Sequence, residues 1–234
     1  MSIYIIGDPH LSFSPLVDKP MDVFGDEWKD HASRLKEAWE SVVMPEDTVI
    51  VAGDISWGLR LAEAMPDLEW ISSLPGRKVM IKGNHDLWWA GIGRLNELFD
   101  DMYFLQNECY EAEGLYICGS RGWTCPGSDD FTEADRKIYD REVLRLGYSL
   151  EAARKKGGPD AKIIGVTHYP PTNEKKQPSG FTDLFSEYGV RQAFYGHLHG
   201  RTNYKRGISG NLNGTEYKLI SGDSIGFVPQ KIEL

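Results

Sequence analysis

The sequence predicts an α/β protein built on two mixed β-sheets with helices outside, and three observations predict it. Short β-branched or aromatic runs of strand length recur along the chain and end in glycine. Stretches of helical period separate the early runs. From residue 201 onward the chain reads instead as short strands joined by Gly-rich turns such as Asn213-Gly214, a hairpin signal. Alternating strands and helices give parallel pairing, and the hairpins add antiparallel strands. With no repeat and no low-complexity linker, the expectation is one domain over residues 1–234.

Taken in order, the strands are I-Y-I-I-G before Asp8, T-V-I-V-A-G before Asp54, K-V-M-I-K-G before Asn84, K-I-I-G-V-T before His168, and Q-A-F-Y-G before His197. Each is apolar at successive positions, the pattern of a strand covered on both faces. Further strands are predicted at 102–105, 109–112 and 115–118. Helical stripes run from Asp26 to Val43, from Leu59 to Leu74 with Pro66 inside, and from Leu87 to Phe99. Gly119 to Asp135 is a long polar loop, a feature often functional in compact domains. It leads into a helix from Glu133 to about Lys156, with Thr132 as N-cap and Arg154-Lys155-Lys156 in the last turn, where the helix dipole favours cations.

Composition narrows the function. The chain has 234 residues, 41% hydrophobic and 26% charged, enough to bury a sizeable core. Its net charge of −9 disfavours long nucleic acid and anionic lipid, which both need a basic patch. No run approaches the ~18 apolar residues of a membrane span. M-S-I-Y-I-I-G-D lacks the basic stretch of a secretory leader. Three cysteines, Cys109, Cys118 and Cys125, are an odd count without paired metal spacing, which predicts a reduced, cytoplasmic chain.

The polar residues at the strand ends form a constellation: Asp8 and His10, Asp54, Asn84 and His85, His168, then His197 and His199. Five of the chain's six histidines fall in this set. Open α/β sheets place ligands just beyond the carboxyl ends of their strands. Carboxylates and imidazoles gathered there would repel or go unsatisfied without a cation. Two divalent ions need a shared ligand, which a carboxylate with two oxygens supplies. Imidazole and oxygen donors without thiolates suit Mn, Fe or Zn, with Mn expected.

The blocks D-P-H, G-D, G-N-H-D, H-Y-P-P and G-H-L-H, in this order from residue 8 to residue 199, resemble the signature of the calcineurin-like metallophosphoesterases. That family includes Ser/Thr protein phosphatases, purple acid phosphatases, cyclic-nucleotide phosphodiesterases and nucleases. The resemblance implies a four-layer α/β/β/α sandwich. It implies that Asp8, His10 and His199 hold a first metal, that Asn84, His168 and His197 hold a second, and that Asp54 bridges them. Asn84 and His85 would also meet the substrate, with His85 as general acid. The implied reaction is cleavage of a phosphomonoester or phosphodiester by a water that the two ions activate. A phosphorylated small molecule or nucleotide is the implied partner.

The sequence departs from the protein phosphatases at G-D-I-S-W-G. They carry Asp-Arg a few residues after that Gly-Asp, whereas Ser56-Trp57 stand here. Phosphate recognition then falls to another donor, and Arg121, after a strand end in the long loop, is the candidate. A Ser/Thr-type protein phosphatase and a non-catalytic binding module of the same fold are the alternative readings. Asp86 is expected to support its neighbours rather than react, His31 to pack within its helix, and Trp57, Trp88 and Trp89 to line the core or a pocket wall.

Overall fold

The structure, a computed structural model, describes residues 1–233. Its first sheet contains β1 (Ile3–Ile6), β2 (Thr48–Ala52), β3 (Arg77–Ile81) and β4 (Met102–Phe104) as parallel neighbours in that order. A two-residue strand, β11 (Gln230–Lys231), pairs antiparallel with β1 at the edge. The second sheet begins with the hairpin of β5 (Cys109–Ala112) and β6 (Leu115–Ser120). It continues in parallel through β7 (Ile163–Thr167), β8 (Gln192–Tyr195) and β10 (Thr215–Leu219), and closes with β9 (Gly210–Leu212) antiparallel to β10.

The period of two along each strand sorts side chains between layers. Ile3, Ile5, Ile50, Ala52, Val79 and Ile81 pack against Ile117, Ile164, Val166 and Phe194 of the other sheet. Ile6, Val49, Val51 and Met80 face outward onto α1 (His31–Val42) and α2 (Leu61–Ser72) through Leu35, Trp39, Leu68 and Ile71. The second sheet is covered by α4 (Glu133–Gly157) and α5 (Gly180–Glu187) through Leu146, Leu150, Phe181 and Phe185. The result is the four-layer α/β/β/α arrangement. Each fully buried aliphatic or Phe side chain contributes about 1.5–3 kcal/mol relative to exposure, so both faces of a central strand must be apolar.

Several elements differ from the sequence reading. The helix expected from Asp26 begins at His31, because Asp30 adopts φ 50° and Asp26–Trp28 form a 3₁₀ turn that drops Trp28 into the core. The helix expected over 87–99 shrinks to α3 (Ile92–Leu95). Gly91 and Gly93 weaken helix there, and an irregular 87–90 segment lets Trp88 bury instead. Pro66 is carried inside α2, which continues past it. β9 and β10 form the hairpin expected at Asn213-Gly214, but β10 also runs parallel to β8, because the chain through α6 (Arg201–Tyr204) and β9 crosses back before re-entering the sheet. The capping box of α4 forms as expected, with Thr132 N–H donating to Asp135 Oδ2 at 2.8 Å.

Candidate metal centre

Parallel strands deliver their carboxyl ends to one edge, and the candidate residues follow those ends. Asp8 and His10 follow β1, Asp54 follows β2, and Asn84 and His85 follow β3. From the second sheet, His168 follows β7 and His197 and His199 follow β8. Backbone hydrogen bonds tie the loops together. Asp8 N–H donates to the Gly53 carbonyl at 3.0 Å, His10 N–H to that of Asp54 at 2.9 Å, and Gly196 N–H to that of His168 at 3.0 Å. Two glycines make the approach possible, since a Cβ at Gly83 would collide with the Asp54 carboxylate and one at Gly196 with that of Asp8.

The backbone is unusual at the candidate ligands themselves. Asp8, His10, Asp54 and His197 have φ of 56°, 44°, 49° and 72°, in the left-handed region. Such conformations cost about 1–3 kcal/mol each in a non-glycine residue and gather at functional sites. An ordinary turn would put glycine or asparagine there.

The side chains converge in two groups, Asp8–His10–His199 and Asp54–His168–His197, each with its ligand atoms within 4.8 Å of one another. Asp54 Oδ2 joins them, 3.7 Å from His10 Nε2 and 3.4 Å from His168 Nε2. Asn84 Oδ1 lies 2.8 Å from His168 Nε2. The His10 and His199 Nε2 atoms are 3.2 Å apart, and His197 Nδ1 is 3.3 Å from His168 Nε2. His85 Nε2 stands at the margin, 3.9 Å from Asp54 Oδ2, with its side chain 41% exposed, so solvent and substrate can reach it.

This donor set fits divalent metal. Burial drives His10 well below its usual range, and burial with the neighbouring His168 pushes His197 down to about 3, so both imidazoles are neutral with lone pairs available. Burial opposes the charge on Asp54, but His168, His10 and His85 around it hold its carboxyl well below the usual carboxylate range. Imidazole nitrogens turned toward one another beside a permanent carboxylate are what a cation would satisfy.

The family described as calcineurin-like phosphoesterase matches residues 1–201. The chain belongs to that family. Over 83 residues it is 39% identical to the Gene 66 protein of Mycobacterium phage L5, an alignment covering 36% of this chain and 39% of that protein. Over 57 residues it is 46% identical to the Gene 66 protein of Mycobacterium phage D29, covering 24% and 28%. The chain thus spans less than half the length of these curated relatives. Two solved structures align at TM-score 0.54. One is a protein of unknown function from Aquifex aeolicus, 18% identical, with 98% of this chain and 95% of that one covered. The other is phosphopantetheinyl hydrolase from Mycobacterium tuberculosis, 13% identical, with 99% and 95% covered. At these identities the likeness concerns the fold.

In this calcineurin-like phosphoesterase the residues behind the ligands are specific. His168 Nδ1 lies 3.1 Å from the Ala52 carbonyl and His199 Nδ1 lies 2.9 Å from Asp223 Oδ1, which turns Nε2 of each ring inward. Asp223 also accepts from Gly200 N–H and the Tyr204 hydroxyl. Asp86 is buried, and its carboxylate accepts from the N–H groups of Ile55, Ser56 and Gly83 and from the Trp88 indole, lashing the β2 and β3 loops together. His31 Nε2 stands 3.1 Å from the carbonyl of Pro9, between two ligands. Ser56 donates to buried Asp67, which also accepts from Phe13 N–H. Tyr169 stacks on His197 at 4.0 Å between ring centroids.

Arg121 is not brought to this cluster, contrary to expectation. Its guanidinium bonds Glu142 of α4 at 3.4 Å and lies 4.5 Å over the Trp123 ring. Glu142 is buried and draws in Arg145 as well, at 3.0 Å, so the arginine is held by the helix that covers its own strand. Its backbone does serve the site, because the Arg121 carbonyl accepts from His168 N–H at 3.1 Å. Cys109, Cys118 and Cys125 are buried and free, and none belongs to the two ligand groups. Among the described residues no helix is long and apolar enough to cross a membrane.

Proposed function

We propose that the chain is a metal-dependent phosphoesterase carrying two divalent transition-metal ions, manganese by preference, with iron or zinc compatible with the same donors. Asp8, His10 and His199 hold one ion, Asn84, His168 and His197 the other, and Asp54 both. The observation that carries this reading is the pair of ligand groups joined by one Asp54 oxygen, with His85 beside it. Bound ions of this kind neutralise phosphate charge and make water a nucleophile at neutral pH.

The chain's own residues do the rest. Asn84 offers an amide to the phosphate, and His85, exposed and within reach of the site, gives a proton to the departing oxygen. Asp54 faces both the backbone N–H and the ring of His85, at 2.8 Å and 3.9 Å, which holds the imidazole at the margin of the cluster. The substrate class is a small phosphorylated molecule, mono- or diester. The neighbour named as a phosphopantetheinyl hydrolase is in keeping with hydrolysis of a phosphorylated compound. Ser56-Trp57 in place of Asp-Arg counts against a Ser/Thr protein phosphatase. The complete ligand set with His85 counts against a non-catalytic module.

The test is a titration of metal-free protein with Mn²⁺, followed by turnover of an aryl phosphate and of the matching diester. Uptake of about two ions per chain with hydrolysis that a chelator abolishes is the expected result. Saturation at one ion, or no hydrolysis of either ester when metal is in excess, overturns the proposal.

A further inference from the structure

Beside the candidate centre lies a cavity of about 320 Å³, with Met21, Phe24, Trp28 and Trp57 on its apolar side and Glu27, Asn203 and the site histidines among its polar members. That is near the lower end for ligand pockets, roughly 300–1,000 Å³. Its aromatic members differ in exposure. Trp28 is buried in the core, whereas Phe24 is 64% exposed and its neighbour Val23 is 70% exposed. Trp57 is fixed on several sides. Its indole N–H meets the Met21 sulfur at 3.2 Å, and its ring lies 4.9 Å from that of His10 and 4.2 Å from that of His85. Another cavity, of about 200 Å³ beside His197, has more polar members, among them Ser128, Asn173, Glu174 and Arg206.

We propose that the aromatic cavity receives the leaving group and selects phosphoesters whose alcohol carries a planar aromatic body. The inference rests on the phosphoesterase reading and on His85 as proton donor. Hydrolysis breaks the bond from phosphorus to the alcohol oxygen, water supplies the new oxygen on phosphorus, and the proton from His85 goes to the alcohol. The departing oxygen must come within hydrogen-bond reach of His85. Whatever is bonded to that oxygen then occupies the space next to His85, which is this cavity. The exposed Phe24 ring, the Trp57 indole and the Met21 thioether give the cavity an apolar wall that favours a flat apolar guest. A small polar alcohol would leave them wet. The exposed ring of Phe24, at the mouth of a cavity that reaches the ligands, has the position of a substrate contact.

The test compares naphthylethyl and ethyl derivatives, whose alcohols have similar acidity, so that chemistry is matched and only the body differs. Mn²⁺-loaded protein is titrated calorimetrically with naphthylethylphosphonate and ethylphosphonate, which cannot be hydrolysed, and the two phosphate esters are assayed for turnover. The naphthyl compound should bind about tenfold more tightly, and Phe24→Ala should lower that ratio by roughly three- to tenfold. Phe24 is exposed, so the variant should fold, and its metal content checks this. Equal affinity for the two phosphonates, or a ratio that Phe24→Ala leaves unchanged, overturns the cavity's role while leaving phosphoester hydrolysis intact. Failure to hydrolyse either ester overturns the phosphoesterase reading, and a leaving-group role for the cavity falls with it.

Discussion

Asp223 shows how a residue can shape the site without belonging to the ligand set. Burial opposes the charge on His199, and the hydrogen bond to Asp223 with the carboxylates of Asp8, Asp223 and Asp54 more than compensates, raising the ring above its usual range. The same contact leaves Nε2 to face Asp8 and His10. Asp223→Asn should weaken one of the two metal sites by roughly 10–100-fold and spare the other, as measured by metal titration. Unchanged affinity at both sites would remove Asp223 from the account. His85 makes the opposite prediction. His85→Ala should keep both ions and lower turnover by roughly 10²–10⁴, with a smaller loss for esters whose leaving group is already a stable anion. The assignment is falsified if the variant empties a metal site. The candidate ligands were legible because each follows an apolar run ending in or near glycine. Asp223 carries the same mark, in L-I-S-G-D after β10. It was missed because the C-terminal strands read as hairpins, which put no residue at the shared edge.

At the scale of elements, the strands were legible and several helices were not. A strand buried on both faces declares itself by continuous apolar residues, and no tertiary contact can hide that. The helix expected over 87–99 contracts to α3, with Gly91 and Gly93 weakening helix there and Trp88 buried from the irregular segment before it. α5 escaped notice although Ser179 caps it, its hydroxyl accepting from Phe181 and Thr182 N–H. Arg121 shows a different limit. Sequence placed it at the end of a strand but could not say which way it points. Glu142, flanked by Arg141 and Arg145, looks like a solvated helix carboxylate, yet the packing of α4 on β6 buries it and recruits Arg121. Arg121→Ala should therefore act on stability. It removes one of the arginines around a buried carboxylate that keeps Arg145 at 3.0 Å, at a cost of about 1–3 kcal/mol. Thermal unfolding should fall by several degrees, while KM for a phosphomonoester stays within about threefold. A large rise in KM with unchanged unfolding temperature would return Arg121 to the substrate.

Across the whole molecule, the candidate centre joins the two sheets. Asp8, His10, Asp54 and Asn84 come from the first, and His168, His197 and His199 from the second. Each proposed ion draws on both, through His199 in one group and through Asp54 or Asn84 in the other. Metal binding should then resist the separation of the layers, and because the unfolded chain has no such site, binding energy becomes folding energy. An ion present at a hundred times its dissociation constant stabilises the native state by about 2.7 kcal/mol. With two ions, and a shift of about 2–4 °C per kcal/mol for a chain of this size, excess Mn²⁺ should raise the unfolding temperature by roughly 10–20 °C over chelated protein. The shared carboxylate makes the prediction specific. Asp54→Asn should cut the gain from both ions together, to less than half of the wild-type shift. His197→Ala should lose only the share of its own ion. An unfolding temperature indifferent to chelation would sink the stapling idea, and an Asp54→Asn shift as large as that of the wild type would deny Asp54 its place between the ions.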